Sequence, residues 1–365
     1  MSEYQLKQFD SFQDRSSFQD YVMGVDLGGT NTNIAIAGIK EQIPHLLYSL
    51  HFKTKHLPSI IPALNIALSY SQNQFDIHIQ TCCIGAAGVV SHAHDKVQLT
   101  NISWDIDAVS IKEETHLGTV YMLNDFQIIG YGINLLDPDD PNDLICIKNT
   151  RLEPDPRATK AVIGGGTGLG KSILVFNESQ NAYIPLSTEG GHVDCPLYTQ
   201  DELDLARYIT HHRLQSSAPL SYEDVLSGQG LESIYSYIQH AHHYPETQYT
   251  KEIDAALEKA PLISKYRTVD ETCHEVFQWY LLFYARCAKN FVFDTLATGG
   301  IYLAGGIAAK NKEIFQSTEF IQTFENTFRR PDVLKQTPIY VIVNYDVSLY
   351  GACLAATYQM KKDKI

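Results

Sequence analysis

The sequence is poor in the features that mark a protein for a charged or greasy partner. Lys and Arg total 28 against 42 Asp and Glu, a formal net charge of −14. A protein that grips a nucleic-acid backbone needs clustered basic charge, and an anionic membrane surface attracts the same, so both partners are excluded. Long apolar runs are also missing. The most apolar segment, Trp279 to Tyr284, is interrupted by Arg286 and Lys289 before it could span a bilayer. Residues 1–20 are polar and acidic, without the apolar stretch of a signal peptide, and read as a polar N-terminal tail. The 7 cysteines (Cys82, Cys83, Cys146, Cys195, Cys273, Cys287 and Cys353) are odd in number, and no pair has C-x-x-C spacing. Neither a disulfide framework nor a zinc knuckle is suggested. The expectation is a cytoplasmic, reducing setting.

What is present is enough apolar material to fold. The chain has 365 residues, 44% hydrophobic and 19% charged, and at roughly 150 residues per domain this predicts two domains. Tyr21–Val25 runs through Gly28-Gly29-Thr30 into Ile34–Ala37, which reads as strand, glycine turn, strand. A helix follows near Pro58–Ser71, then a strand in Ile79–Val90. Val120–Leu123 is a short strand stopping at Asn124-Asp125, where a helical pattern of Ile128, Ile129, Ile133 and Leu136 begins. The opening theme then recurs. Ala161–Ile163 enters Gly164-Gly165-Gly166-Thr167-Gly168, and Ile173–Phe176 leaves it, which suggests an internal duplication. Val276, Tyr280, Phe283, Cys287 and Phe291 form a core stripe. Ile301–Ala304 is a strand reaching Gly305-Gly306, Ile339–Val343 a late strand, and 347–360 a closing helix.

Residues 165–172, GGTGLGKS, satisfy the P-loop pattern G-x-x-x-x-G-K-[ST]. A P-loop needs a helix N-terminus aimed at the phosphates, which would begin near Lys171. The following run, Ile173-Leu174-Val175-Phe176-Asn177-Glu178-Ser179, is β-rich and lacks helical periodicity. Hairpin turns holding phosphates fit better. Gly28-Gly29 lets backbone approach an anion, and the Thr30 hydroxyl can donate to a phosphate oxygen. Asp26 beside bare phosphate would be repelled, but it suits a phosphate-bound Mg²⁺.

Asp26-Leu27-Gly28-Gly29-Thr30-Asn31, Leu123-Asn124-Asp125-Phe126, Gly166-Thr167-Gly168-Leu169-Gly170, Glu189-Gly190-Gly191-His192-Val193-Asp194, Val225-Leu226-Ser227-Gly228 and Leu303-Ala304-Gly305-Gly306-Ile307 occur in an order that resembles the bacterial glucokinase family. The resemblance runs from about Tyr21 to the C-terminus. It implies an α/β, two-lobed actin-like ATPase fold of the duplicated ribonuclease H-like kind, with an interdomain cleft. The small lobe would take 21–135 and 346–365, the large lobe 136–345. The nucleotide side would comprise Val25, Asp26, Leu27, Gly28, Gly29, Thr30 and Asn31, with Thr167, Gly168, Gly305 and Gly306. Where the family usually has Arg, two residues after the Asn of the first motif, this chain has Asn33. Relatives with a Cys-rich zinc motif after E-G-G-H are also excluded, because Cys195 alone lies nearby. Mg²⁺ with ATP, near Asp26, is expected without dedicated metal ligands.

The implied reaction is ATP-dependent phosphorylation of glucose at its 6-hydroxyl. Catalysis is then mostly positioning and charge neutralisation, with a carboxylate to receive the hydroxyl proton. Asp125 is the candidate base, and Asn124 can serve as the helix cap in its place. Glu189 and His192 resemble a sugar-hydroxyl clamp, with Glu223 matching a further family contact and Asn101 and Asn124 as additional ligands. Trp104 is read as core. His211, His212, His240, His242 and His243 lack matching carboxylates nearby in sequence and are read as loop histidines. Another hexose as substrate, a sugar-binding regulator on the same scaffold and, remotely, a P-loop NTPase stand as alternatives. A homodimer is implied by resemblance.

Overall fold

A computed structural model describes residues 3–99, 102–150, 155–242 and 244–363. The strands are β1 (Tyr4–Gln8), β2 (Asp20–Leu27), β3 (Asn31–Lys40), β4 (Ile43–Lys53), β5 (Thr81–Ala86), β6 (Gly88–Val90), β7 (Lys96–Leu99), β8 (Ile106–Asp107), β9 (Thr119–Asn124), β10 (Leu144–Lys148), β11 (Lys160–Gly165), β12 (Leu169–Asn177), β13 (Ala182–Thr188), β14 (Ile301–Ala304) and β15 (Ile339–Ile342). By internal contacts the chain divides into two units. The first takes Met1–Asp137, Asn177–Ser187 and Asn344–Ile365, the second Pro138–Phe176 and Thr188–Val343.

The first unit is built on the sheet β1-β4-β3-β2-β5-β9. The strands β2, β3 and β4 meander antiparallel, and β2, β5 and β9 run parallel. Met23, Val25, Leu27, Ile34 and Ile36 bury one face with the helix Ile61–Phe75. Val22, Ala35, Ala37 and Cys83 bury the other with Ala352, Cys353 and Ala356 of the helix Val347–Asp363. That helix lies close because Gly24 has no side chain; a Cβ there would stand 2.7 Å from the Cys353 amide nitrogen. A small antiparallel sheet, β6-β7-β8, is added between β5 and β9 in sequence.

Two features of this unit differ from expectation. Residues 4–8 of the expected tail form β1, which pairs with β4 from Tyr4↔Phe52 to Gln8↔Tyr48, and Asp10–Ser17 is a 3-10 helix. All five residues of β1 are exposed, so their polarity suits an edge strand as well as it suits a tail. The segment 177–187 was expected in the large lobe but belongs here. Asn134 holds it, donating to the Tyr183 carbonyl at 3.0 Å and accepting from the Tyr183 amide at 2.8 Å.

The second sheet has the strand order β10-β15-β14-β11-β12-β13, and β10, β15, β14, β11 and β12 up to Phe176 belong to the second unit. Taking β2, β3, β4, β5 and β9 as strands one to five, the first sheet reads 3-2-1-4-5. Taking β11 to β15 the same way, the second reads identically. In both, strand two is antiparallel to strand one, while one, four and five are parallel. The duplication is therefore one of topology. The core helix Glu271–Thr295 buries the expected stripe of Val276, Tyr280, Phe283, Cys287 and Phe291. Among the described residues no helix is long and apolar enough to cross a membrane.

Candidate active site

In open α/β sheets ligands gather outside the carboxyl ends of the parallel strands. In the first unit that end is defined by register: Leu27 pairs with Ala86, and Ala86 with Asn124. The first glycine turn and Asp125 therefore leave the sheet side by side, two strands or roughly 10 Å apart.

The turn itself is stitched. The Gly28 amide donates to the Asn31 carbonyl at 2.9 Å, and the Thr54 amide donates to the Thr30 carbonyl at 3.0 Å. The Thr54 hydroxyl donates to the Gly28 carbonyl at 2.7 Å and lies 2.9 Å from that of Thr32. Gly29, Thr30 and Asn31 remain exposed at its tip. Lys53 donates to Asn31 Oδ1 at 2.8 Å, placing a cation beside the turn. Lys53 and Thr54 were missed in the sequence; the pairing Asn31↔Lys53 brings them in. At the base of the turn Asp26 accepts from the Ser348 hydroxyl at 2.7 Å. Burial pushes its carboxyl above the ordinary value, opposed by hydrogen bonds from Ser348 and Asn33. A single oxygen-donor carboxylate beside a phosphate-sized turn fits a magnesium ion that keeps most of its waters. Among the described residues no group of three or more His, Cys, Asp or Glu could hold a metal ion.

Asp125 opens the helix Asp125–Gly132. Asn124 Oδ1 caps it through the Phe126 amide at 2.9 Å, and Gln127 Oε1 reaches back to the Asn124 amide at 3.1 Å. Asp125 Oδ1 also accepts from the Phe126 amide, at 3.0 Å, which orients the carboxylate at the helix start. Asn101 lies outside the described residues.

In the second unit Gly164 pairs with Ala304, so the second and third glycine turns leave neighbouring parallel strands at the same end. Gly166 N–H closes the second turn on the Gly168 carbonyl at 2.8 Å, with Thr167 exposed. Gly305 has φ 90°, and a Cβ there would stand 2.5 Å from the Gly165 carbonyl oxygen. The third turn therefore requires glycine on both counts. Glu189, His192 and Glu223 come together. His192 Nε2 is 3.6 Å from Glu189 Oε2 and its Nδ1 is 4.0 Å from Glu223 Oε1. Glu189 and His192 are mostly exposed and Glu223 partly so. Three polar groups clustered at an open surface suit a polyhydroxylated ligand.

The P-loop reading fails here. Lys171 lies within β12, paired with Ile163, and no helix begins at it. Its side chain is buried, with Nζ 5.0 Å from the Tyr222 ring centroid and 5.1 Å from that of Phe291. An ammonium spent on two aromatic faces is a cation–π arrangement inside the core. The histidines are also corrected. His211 and His212 sit in the π-helical turn Thr210–Leu214 and His240 in the helix Gly228–Ala241, which His242 ends; His243 lies outside the described residues. The carboxylates missing from the local sequence reach His242 in space: Glu275 at 2.9 Å and Asp201 at 3.4 Å.

Two sheets of one topology, with glycine turns at the carboxyl ends of their parallel strands, define the two-lobed actin-like ATPase fold found in sugar kinases. The Glucokinase family model matches residues 23–359, and the chain belongs to the glucokinase family. It is 29% identical over 350 residues to the glucokinase of Nostoc punctiforme, covering 91% of this chain and 97% of that protein. Its fold is similar to the structure of a glucokinase from Balamuthia mandrillaris in complex with glucose: TM-score 0.79, 19% identity, 96% of this chain and 100% of that one. It is similar also to a ROK family glucokinase from Streptomyces griseus in complex with glucose and AMPPNP: TM-score 0.62, 17% identity, 93% and 99% covered.

Proposed function

We propose that the protein transfers the γ-phosphoryl group of ATP to the 6-hydroxyl of glucose. The observation that carries this reading is the register Leu27–Ala86–Asn124, which sets a carboxylate at a helix start beside an exposed glycine–threonine turn. Asp125 takes the proton of the 6-hydroxyl as that oxygen bonds to phosphorus and the bond to the β-phosphate oxygen breaks, releasing ADP. Thr30, Thr167 and the turn amides, from Val25–Asn31, Gly168 and Gly305-Gly306, receive the nucleotide phosphates. Lys53 adds positive charge there. Asp26 would hold the magnesium that accompanies the nucleotide, which would supply neutralisation of phosphate charge. Glu189, His192 and Glu223 bind the ring hydroxyls remote from the reacting one, with the Asn124 amide and Asn101 as further ligands. The Nostoc and Balamuthia relatives, each a glucokinase, support glucose as the sugar. By family resemblance the working unit is a homodimer in the cytoplasm.

The test is a coupled assay with magnesium and ATP over glucose, mannose, fructose and N-acetyl sugars. The expected outcome is turnover with the highest kcat/KM for glucose. Tight sugar binding without turnover on any hexose would point to a sugar-sensing regulator instead.

A further inference from the structure

A row of polar side chains crosses an otherwise apolar face of the first sheet. Asp26 on β2 stands opposite Asn33 on β3, and Asn33 opposite His51 on β4. Cross-strand partners share a face, and Ser49, two residues before His51, shares it too. Val22, Ala35 and Ala37, further along the same face, are buried and apolar. Four polar groups here are costly unless each is bonded.

They are bonded in sequence. Asn33 stands directly across from Asp26, and its side chain favours the ionised carboxylate. His51 Nδ1 is 2.8 Å from Asn33 Oδ1, and Ser49 Oγ is 2.8 Å from His51 Nε2. Ser348 Oγ reaches Asp26 Oδ2 from the other side at 2.7 Å. The chemistry of these groups sets the direction. An ionised carboxylate is favoured only by donors, so the Asn33 amide N–H is the group that serves Asp26, and Oδ1 serves His51. His51 must then carry its proton on Nδ1, which leaves Nε2 to accept from the Ser49 hydroxyl. Every donor in the chain points toward Asp26.

We propose that Asn33 and His51 are positioning residues for Asp26, which with Ser49 and Ser348 hold its carboxylate in one orientation at the base of the first glycine turn to receive the magnesium that accompanies the nucleotide. The inference rests on the reading of Asp26 given above and extends it to residues that touch neither phosphate nor sugar. Outer groups that orient a metal-facing carboxylate usually matter to affinity by about 10–100-fold. The row also accounts for the departure of this sequence from its family at position 33. An arginine there would place a fixed positive charge beside Asp26. The Asn33–His51 pair supplies polar partners without that charge, so the net local charge at the base of the turn is not cancelled before a cation arrives with the ligand.

The test is calorimetric binding of AMPPNP to the full chain, with and without magnesium, alongside glucose binding. Asn33→Ala is expected to weaken the magnesium-dependent binding by about 10–100-fold, leaving glucose binding as in the wild type. His51→Leu should act in the same direction, and His51→Asn, which restores a donor near the Nδ1 position, should recover most of the loss. A lowered melting temperature with unchanged magnesium-dependent binding in Asn33→Ala and His51→Leu would make the row structural and overturn the proposal. Should Asn33→Ala not fold, the two His51 variants decide: equal affinities overturn it. Asp26→Asn separates the two levels. If Asp26→Asn binds magnesium and AMPPNP like the wild type, the reading of Asp26 fails. If it binds weakly while Asn33→Ala does not, that reading stands and the positioning inference falls.

Discussion

Glu223 accepts a hydrogen bond from the Leu169 amide at 2.8 Å, and its second oxygen stands 4.0 Å from His192. The carboxylate is thereby tied both to the strand leaving the second glycine turn and to the histidine of the clamp. Hydrogen bonds to charged groups contribute about 1.5–3 kcal/mol, so Glu223→Ala should raise the KM for glucose by roughly 10–100-fold. Steady-state kinetics with each substrate varied in turn would check this. An increase confined to ATP would place Glu223 on the nucleotide side.

Glu189 is the clamp residue most exposed to an incoming sugar, at 78%. A site that commits hydrogen-bonding groups to a hydroxyl rejects analogues that strand those groups, by as much as about 10⁴-fold. Glu189→Ala should therefore raise KM, lower kcat and narrow the preference for glucose over its epimers. The ratio of kcat/KM for glucose and mannose measures it. An unchanged ranking would remove Glu189 from the clamp.

Asp125 is oriented by the Phe126 amide and stands next to the cap. Asp125→Asn preserves the shape and the acceptor oxygen but cannot take a proton. It should lower kcat by about 10²–10⁴-fold with sugar binding nearly intact. Near-normal turnover of this variant would assign the base elsewhere.

Lys171 distinguishes a phosphate-binding loop from a strand that shares its letters. Met at 171 keeps an unbranched side chain of similar volume between Tyr222 and Phe291 and removes only the ammonium. Lys171→Met should leave the KM for ATP within roughly twofold of the wild type, where loss of a P-loop lysine would abolish nucleotide use. Nucleotide titration and thermal melting read the two effects separately.

His242 sits between Glu275 and Asp201. Burial of the imidazole works against protonation, but the hydrogen bonds and charges of Glu275 and Asp201 prevail, and it titrates above the ordinary histidine value. A histidine raised on folding stabilises fully below its unfolded pKa of about 6.5, and that stability is lost as pH rises through the folded value. His242→Gln should therefore lower the melting temperature most at acidic pH, with the gap to wild type closing as the solution becomes alkaline. A gap independent of pH would show that packing, and not charge, sets the effect.

Much of the fold was legible because it is locally encoded. The strand Ile301–Ala304 matches its apolar run, and the stop at Asn124-Asp125 coincides with the end of β9 and the start of a capped helix. The β-rich run after Lys171 correctly argued against a helix there. What misled was polarity without context. Residues 4–8 look like a tail because an exposed edge strand and a tail have the same composition, and the pairing with β4 leaves no local mark. The carboxylates of His242 leave no local mark because Glu275 and Asp201 are distant from it in sequence.

By itself the sequence determined the two glycine-turn themes, the apolar strands around them and the carboxylate at a strand end, because turn geometry, side-chain alternation and capping act over a few neighbouring residues. The tertiary structure alone decided which residues stand behind those motifs. Ser348 reaches Asp26 from 322 positions away. Lys171 turns its charge into a cage of Tyr222 and Phe291. Asn33 gains its meaning only when strand register sets it between Asp26 and His51. Register and packing are settled by burying whole faces at once, and a face is assembled from segments that the linear order keeps apart.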